Sequence, residues 1–401
     1  MSHVVVIGAG QAGSSLVAKL RSSGFEGEIT LIGEENAPPY QRPPLSKAYL
    51  LGDMEKERLF LRPESYYAEN GITLKLGQPV TAIDAAAKTV TVGGETLSYD
   101  QLALTTGSIP RRLPASIGGE LDGVFTVRDL NDVDAMAPEV TEGRRVLIVG
   151  GGYIGLEAAA VCAKKGMQVT LVEMADRILQ RVASPQTSDY FRDLHKSHGV
   201  DIREGVGLTR LTGEGRVSGA VLSDGSELAL DMVIVGVGIV PATGPAEMAG
   251  VELENGIRTD AHGRTSDPSI WAAGDCASFP YKGARIRLES VQNAIDQAEC
   301  VAANIMGEGK DYVPEPWFWS DQYDTKLQIA GLNTGYDDIV TRKADGTLSF
   351  WYYKGDQFLA VDAINDPRGY MVGKRLLSMG KSPDKAAVAD PETELKALLK
   401  A

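Results

Sequence analysis

Val4-Val5-Val6-Ile7-Gly8-Ala9-Gly10-Gln11-Ala12-Gly13 reads as a short apolar strand running into a glycine turn, and it is nearly repeated at Val146-Leu147-Ile148-Val149-Gly150-Gly151-Gly152-Tyr153-Ile154-Gly155. Each copy leads into an Ala/Leu-rich helix, over 14–23 and 156–165, and each helix stops at a glycine, Gly24 and Gly166, where a left-handed C-terminal cap is expected. A second strand follows each helix, Ile29-Thr30-Leu31-Ile32 and Val169-Thr170-Leu171-Val172. These strands run into acids, Glu34 and Glu35 in the first copy and Glu173 in the second. Glu34 stands 21 residues after Gly13, and Glu173 stands 18 after Gly155. Strand, G-x-G-x-x-G turn, helix and acid at that distance make up a dinucleotide-binding fingerprint, here present twice. The first glycine permits the tight turn, the second lets a pyrophosphate approach the backbone, and the third lets helix pack on strand. The helix N-terminus is left facing the phosphates. Gly8, Gly10, Gln11, Ala12 and Gly13 are therefore expected around one nucleotide, and Gly150, Gly152, Tyr153, Ile154 and Gly155 around another.

At 401 residues the chain suits two or three domains, with 43% hydrophobic and 23% charged residues as in ordinary globular proteins. Its apolar runs are strand-length and broken by glycine, so no membrane span is expected. Met1-Ser2-His3 runs directly into the first strand without a basic n-region or cleavage site, which makes the cytoplasm the expected location. A formal charge of −14 argues against nucleic acid and anionic membrane as partners. Leu102-Ala103-Leu104-Thr105-Thr106-Gly107 and Met232-Val233-Ile234-Val235-Gly236-Val237-Gly238 are strand-then-glycine segments followed by Pro110 and Pro241, and they mark the entry to and exit from an inserted domain. From Pro314 the texture changes to alternating aromatic segments, Trp317-Phe318-Trp319 and Phe350-Trp351-Tyr352-Tyr353, expected to form a small antiparallel sheet with helices. The charged, Pro-containing tail from Ser382 is expected to be peripheral. The fold class is therefore α/β: two Rossmann-like dinucleotide-binding domains plus a small α+β C-terminal domain. Expected boundaries are 1–108 and 240–313 for the first nucleotide domain, 109–239 for the inserted second, and 314–401 for the last.

Two further motifs carry a family resemblance. Tyr40-Gln41-Arg42-Pro43-Pro44-Leu45-Ser46-Lys47 resembles the R-P-P-L-S-K motif of the oxygenase-coupled ferredoxin reductases, and Trp271-Ala272-Ala273-Gly274-Asp275-Cys276-Ala277 resembles the second flavin motif of that group. Arg287-Leu288-Glu289-Ser290-Val291-Gln292-Asn293-Ala294 follows as in the family, and the resemblance covers residues 1 to about 375. Rubredoxin reductases, plant monodehydroascorbate reductases and apoptosis-inducing factor are more distant relatives. The resemblance implies a glutathione-reductase-like arrangement with FAD at the first glycine loop and NADH at the second. It implies that Arg42 and Lys47 lie along the flavin, that Asp275 binds the ribityl chain, and that Glu289 and Trp319 frame the ring. It also places Glu34, Glu35, Val80, Thr106, Gly107, Arg128, Ser290 and Val291 around FAD, and Glu173, Arg181 and Gly238 around NADH. By residue type alone, Asp275 equally suits the start of a helix, Arg42-Pro43-Pro44 a rigid loop, and Trp319 a core position.

What the chain lacks narrows the reaction. Cys162, Cys276 and Cys300 form no C-x-x-C or C-x-x-x-x-C pair, so a flavin here has no sulfur relay and must deliver electrons to an external acceptor. Three cysteines cannot hold an iron–sulfur cluster within the chain. No metal site is expected: His195 and His198 flank Lys196 and Ser197 on what reads as a solvated helix face. The expected reaction is hydride transfer from NADH to FAD, then single electrons to a [2Fe–2S] ferredoxin serving a P450 or Rieske-type dioxygenase. Tyr153 is expected to stack over the flavin until nicotinamide displaces it, and Glu157 to pair with Lys47 near the reacting centre. Glu173 repels a 2′-phosphate and so favours NADH over NADPH, although Arg177 stands four residues on. Arg285, Arg287 and Lys326 are the candidate basic residues for ferredoxin docking. Competing readings are a quinone or monodehydroascorbate-type reductase, a rubredoxin reductase, and an NADH-binding signalling flavoprotein.

Overall fold

Four of the five residues in the strand His3–Ile7 are fully buried. Val4 and Val6 point into one cluster with Leu16, Val17 and Ala298, while Val5 and Ile7 point into another with Val90, Val92 and Leu102. A strand covered on both faces must be apolar at every position, which is why this segment shows no alternation. The computed structural model describes residues 2–400. In it the chain forms two units, one of Met1–Arg42, Glu55–Ile109 and Ile239–Pro314, the other of Pro43–Met54, Pro110–Gly238 and Glu315–Ala401. The segment 43–54 thus groups with the second unit rather than with the residues that flank it.

In the first unit a five-stranded parallel sheet has the order Ile270–Ala272, Gln101–Leu104, His3–Ile7, Glu28–Ile32, Ile72–Lys75. The helices Gln11–Ser22 and Val291–Ile305 cover one face. The antiparallel strands Val80–Asp84, Thr89–Val92 and Glu95–Ser98 cover the other through Ile83, Val90 and Val92.

The second unit repeats the plan. Its parallel sheet runs Asp201–Glu204, Gln168–Glu173, Arg145–Val149, Met232–Val235, Val124–Phe125. One face packs on the antiparallel strands Leu208–Thr212 and Gly219–Leu222 through Leu211, Ala220 and Leu222, and the helix Tyr153–Lys164 lies against the sheet as well. Gly24 and Gly166 follow the two Rossmann-type helices at φ 86° and 76°, the left-handed caps the sequence calls for.

The aromatic segments of the C-terminal part form a five-stranded antiparallel sheet, ordered Trp317–Gln322, Thr325–Gly331, Gln357–Ile364, Thr347–Lys354, Asp338–Ala344. Trp351, Tyr353 and Val361 pack on Tyr370, Val372 and Leu376 of the helix Pro367–Ser378. The tail is not peripheral. Val388 and Leu398 are buried in this same core. The guanidinium of buried Arg342 donates to the carbonyls of Val388, Asp390, Pro391 and Thr393 at 2.6–3.1 Å. Charged residues are spread through the tail sequence, but its apolar anchors and one buried cation fix it to the domain.

Candidate functional site

The two glycine loops have the same build. Gly8 and Gly150 adopt φ of 114° and 109°, and a Cβ on either would fall 2.2 Å from the Thr105 carbonyl oxygen or 2.4 Å from that of Gly236. The third glycines are as constrained, with a Cβ at Gly13 placed 2.0 Å from Gly8 O and one at Gly155 2.1 Å from Gly150 O. The middle glycines differ: Gly10 and Gly152 have no atom within 4 Å of a Cβ position. They are open on the side where a phosphate would approach. Each is also the N-cap of its helix, supplies no side-chain hydrogen bond, and is followed by no acid in the first turn. Elsewhere Asp129, Ser184, Ser290, Asp366 and Asp384 cap their helices with side chains. Unbonded amides at a positive helix end fit a pyrophosphate, and the two loops fit one nucleotide each.

In the first unit, residues distant in sequence converge on the loop. Thr105 Oγ1 donates to Gly8 O at 2.8 Å, which brings Thr106 and Gly107 beside it. A Cβ on Gly274 would lie 3.1 Å from the Cβ of Ala12, so Asp275 also stands by the start of the helix Gln11–Ser22. The Asp275 carboxylate accepts from Ser108 Oγ at 2.9 Å. The helix expected at Asp275 is absent: the chain turns there and continues as the strand Ala277–Tyr281. The backbone of Asp275 is instead held by Arg287, which donates to its carbonyl at 3.0 Å. Of the two acids after the second strand, Glu34 is exposed, while Glu35 accepts from Arg42 at 2.5 Å and from Tyr40. Val80 opens an antiparallel strand, and Glu289, Ser290 and Val291 sit at the start of the helix Val291–Ile305, whose cap is Ser290. Arg285 and Arg287 are not free cations. Arg285 pairs with Glu254 at 3.2 Å and donates to two carbonyls, and Arg287 pairs with Glu289 at 2.6 Å.

In the second unit, Glu173 reaches back to the glycine loop, accepting from Gly151 N at 2.7 Å and Ala175 N at 2.8 Å. Arg177 is committed elsewhere, donating to Ser188 Oγ and to the carbonyls of Gln180, Ala183 and Ser184. Arg181 is exposed, with a guanidinium nitrogen 3.7 Å from a Cβ position on Gly238. Arg128 donates its backbone amide to Asp132, and Lys326 is exposed on the strand Thr325–Gly331.

Glu157 lies in the second turn of the helix Tyr153–Lys164 with 2% of its side chain exposed. Burial in this Ala-rich helix pushes its carboxyl above the usual range, against the pull of Lys47 and two hydroxyls. Lys47 Nζ and Ser46 Oγ each donate to Oε2 at 2.7 Å, and Ser320 Oγ donates to Oε1 at 2.7 Å. Ser46 and Ser320 were not singled out by sequence. Ser46 lies inside the R-P-P-L-S-K stretch, whereas Ser320 has no local signal and reaches Glu157 only through tertiary structure. Tyr153, at the first helical position, packs on Phe318 with ring centroids 5.0 Å apart, and its buried hydroxyl has no hydrogen-bond partner among the described residues. Trp319, two residues from Trp317 and tilted against it, is half-buried. His195 is not solvated as expected: it is fully buried and bonded to Gln322 at 2.7 Å.

Cys162, Cys276 and Cys300 are all buried free thiols. Burial pushes Cys162 up to about 12 and raises the other two, which leaves none in the thiolate form needed for disulfide exchange.

Comparison with known proteins agrees with this build. Residues 2–298 match the pyridine nucleotide-disulphide oxidoreductase family, and residues 317–399 match the reductase C-terminal family. Rhodocoxin reductase of Rhodococcus erythropolis is 42% identical, over 98% of this chain and 93% of its own. Putidaredoxin reductase of Pseudomonas putida is 39% identical, over 100% and 97% respectively. Among solved structures, that of the covalent putidaredoxin reductase–putidaredoxin complex superimposes with a TM-score of 0.96 at 38% identity, covering 100% of this chain and 98% of the other. With two glycine cradles, a C-terminal reductase sheet and full-length similarity of this degree, the chain belongs to the pyridine nucleotide-disulphide oxidoreductase family, alongside the rhodocoxin and putidaredoxin reductases.

Proposed function

We propose that this protein is an FAD-dependent NADH:ferredoxin reductase that feeds electrons to a [2Fe–2S] ferredoxin of a P450 or Rieske-type oxygenase system. The observation that carries this reading is the state of the sulfur. In a family named for disulphide chemistry, this chain keeps both nucleotide cradles yet buries all three thiols as single, protonated groups. Its electrons must therefore leave for an external acceptor. The relatives at about 40% identity include proteins named as ferredoxin reductases beside the rhodocoxin and putidaredoxin reductases, which supports that acceptor.

The nicotinamide nucleotide would supply a hydride, and FAD would take that electron pair and release electrons singly. The chain's own residues bind and orient. Gly8, Gly10 and Gly13, with Gln11 and Ala12, would cradle the FAD pyrophosphate, and Asp275 would take ribityl hydroxyls. Residues 1–108 and 240–313 would thus form the FAD domain, with 109–239 for NADH and 314–401 completing the enzyme. Gly150, Gly152 and Gly155 would hold the NADH pyrophosphate. Glu173, whose two oxygens are fixed by backbone amides, would present a negative charge to the ribose and disfavour a 2′-phosphate. The guanidinium donors of Arg177 are taken up by Ser188 and backbone carbonyls and so are not directed at a 2′-phosphate. Lys47, Glu157 and Tyr153 would line the reacting centre, with the buried ion pair holding Lys47 in one orientation. No helix among the described residues is long and apolar enough to cross a membrane. A reducing cytoplasm, where free thiols persist, is the proposed location.

Steady-state cytochrome c reduction tests the assignment. It should require both the enzyme and a [2Fe–2S] ferredoxin and prefer NADH. Equal rates with a quinone and no ferredoxin dependence would replace it with a small-molecule reductase.

A further inference from the structure

The hydrogen bonds at Glu157 do not stop at Ser320. Ser320 Oγ, which donates to Glu157 Oε1, is itself 3.1 Å from Gln322 Nε2. Gln322 Oε1 is 2.7 Å from His195 Nε2, and His195 Nδ1 is 3.2 Å from the hydroxyl of Tyr323. Ser320, Gln322 and His195 are all fully buried. The chemistry of the groups fixes the direction of each bond. An amide nitrogen only donates, so Gln322 gives a proton to Ser320 and turns its carbonyl oxygen toward His195. That oxygen only accepts, so His195 carries its proton on Nε2, and Nδ1 accepts from Tyr323. Four donors in succession, Tyr323, His195, Gln322 and Ser320, therefore point toward one carboxylate.

We propose that His195 is a positioning residue for Glu157: through Gln322 and Ser320 it holds this chain of donors in the one orientation that favours the ionised carboxylate and its pairing with Lys47. The inference rests on the proposed reading of Glu157 as part of the reacting centre. Burial lowers His195 to about 4 despite its place near the C-terminal end of the helix Pro185–Ser197, so the ring is neutral and has a single proton to place. Bonds in such a chain polarise one another and act most strongly where water is excluded. Without the His195 donor, the amide of Gln322 is free to reverse, Ser320 loses its own donor, and Glu157 becomes easier to protonate.

The charged and titratable neighbours are few. Lys47 acts on Glu157 directly. Arg145 and Glu173, on strands packed against the same helix, are bonded to Asp231 and to backbone amides. His198 acts on His195, and Tyr323, which His198 stacks upon at 3.6 Å, feels Cys162.

The test is the pH profile of flavin reduction by NADH in the FAD-loaded enzyme, followed by anaerobic stopped-flow. His195→Leu should move the acid limb of that profile to higher pH, with a rate on the limb about fivefold below the parent and an unchanged alkaline plateau. Gln322→Leu breaks the same chain from the other side, by a substitution outside the helix Pro185–Ser197, and should shift the limb likewise. His195→Gln can keep a donor near the place of Nε2 and should restore the parent profile. Profiles of His195→Leu and Gln322→Leu that superimpose on the parent would overturn the proposal, as would a His195→Gln profile as shifted as that of His195→Leu. Glu157→Gln separates this from the reading beneath it: a parental rate and profile in that variant would remove Glu157 from the reacting centre and the relay with it.

Discussion

Replacing Gly152 and Gly155 by alanine, one at a time, should separate nucleotide binding from folding at a single loop. At Gly155 the new methyl would sit 2.1 Å from the Gly150 carbonyl oxygen. Carbon and oxygen rest at about 3.5 Å, so helix and strand must part by about 1 Å or more in a close-packed layer. Overpacking of that kind costs about 2–3 kcal/mol, a fall of several degrees in melting temperature. At Gly152 the methyl meets nothing within 4 Å, and φ −79° with ψ 177° is open to alanine. The fold loses at most about 1 kcal/mol, because alanine caps a helix less well than glycine. That methyl nevertheless occupies the approach to the helix amides, so NADH affinity should weaken by roughly tenfold to a hundredfold, or about 1.4–2.8 kcal/mol. Thermal unfolding of the two variants beside NADH titration of FAD-loaded enzyme gives both quantities. A Gly152→Ala protein that binds NADH like the parent would refute the placement of the pyrophosphate, and a Gly155→Ala protein of parental stability would refute the packing argument.

Three further outcomes follow from the second unit. Asp362 is fully buried, accepts from Tyr352 and from Thr187 at 2.7 Å, and is pushed up to about 6 by desolvation. The folded state therefore holds its proton more tightly than the unfolded chain, and stability is lost as pH rises from about 4 to about 6. Asp362→Asn should be more stable than the parent at pH 8, by on the order of 2–3 kcal/mol, with the gain vanishing near pH 4 in melting curves. Glu173→Ala should cut the ratio of kcat/KM for NADH over NADPH by about tenfold or more; an unchanged ratio would assign cofactor choice elsewhere. Arg342→Met leaves four tail carbonyls without their donor, so amide exchange across 388–393 should accelerate and stability should drop by about 3 kcal/mol. Parental exchange there would show that the apolar anchors alone hold the tail.

The glycine loops were legible because their physics is local. Strand, turn and helix adjoin in the chain, and the constraints at Gly8, Gly13, Gly150 and Gly155 arise within a few residues or from the neighbouring strand. The alternating aromatics of the C-terminal sheet were readable for the same reason. What escaped depends on distant partners. Ser320 meets Glu157 across 163 positions, and His195 meets Gln322 across 127. A histidine followed by Lys196, Ser197 and His198 near a helix end reads as solvated, and the Gln322 that meets it lies far along the chain. Asp275 shows how a short motif misleads: Gly-Asp-Cys-Ala suits a helix cap, but Ala277–Tyr281 pairs with Ala284–Ile286, and that pairing decides the local structure. Arg285 and Arg287 read as basic surface residues in the sequence, but Glu254 and Glu289 lie beside them and pair with them.

The direct transfer of electrons from flavin to an iron–sulfur partner, with no sulfur relay, is tested most directly by double-mixing stopped-flow. The enzyme is first reduced with one equivalent of NADH under anaerobic conditions and then mixed with an oxidised [2Fe–2S] ferredoxin. The flavin absorbance should recover in step with bleaching of the cluster, at a rate unaffected by a thiol-alkylating reagent. A flavin that NADH reduces quickly but that no ferredoxin reoxidises would contradict the assignment, and recovery abolished by alkylation would contradict the absence of a thiol step.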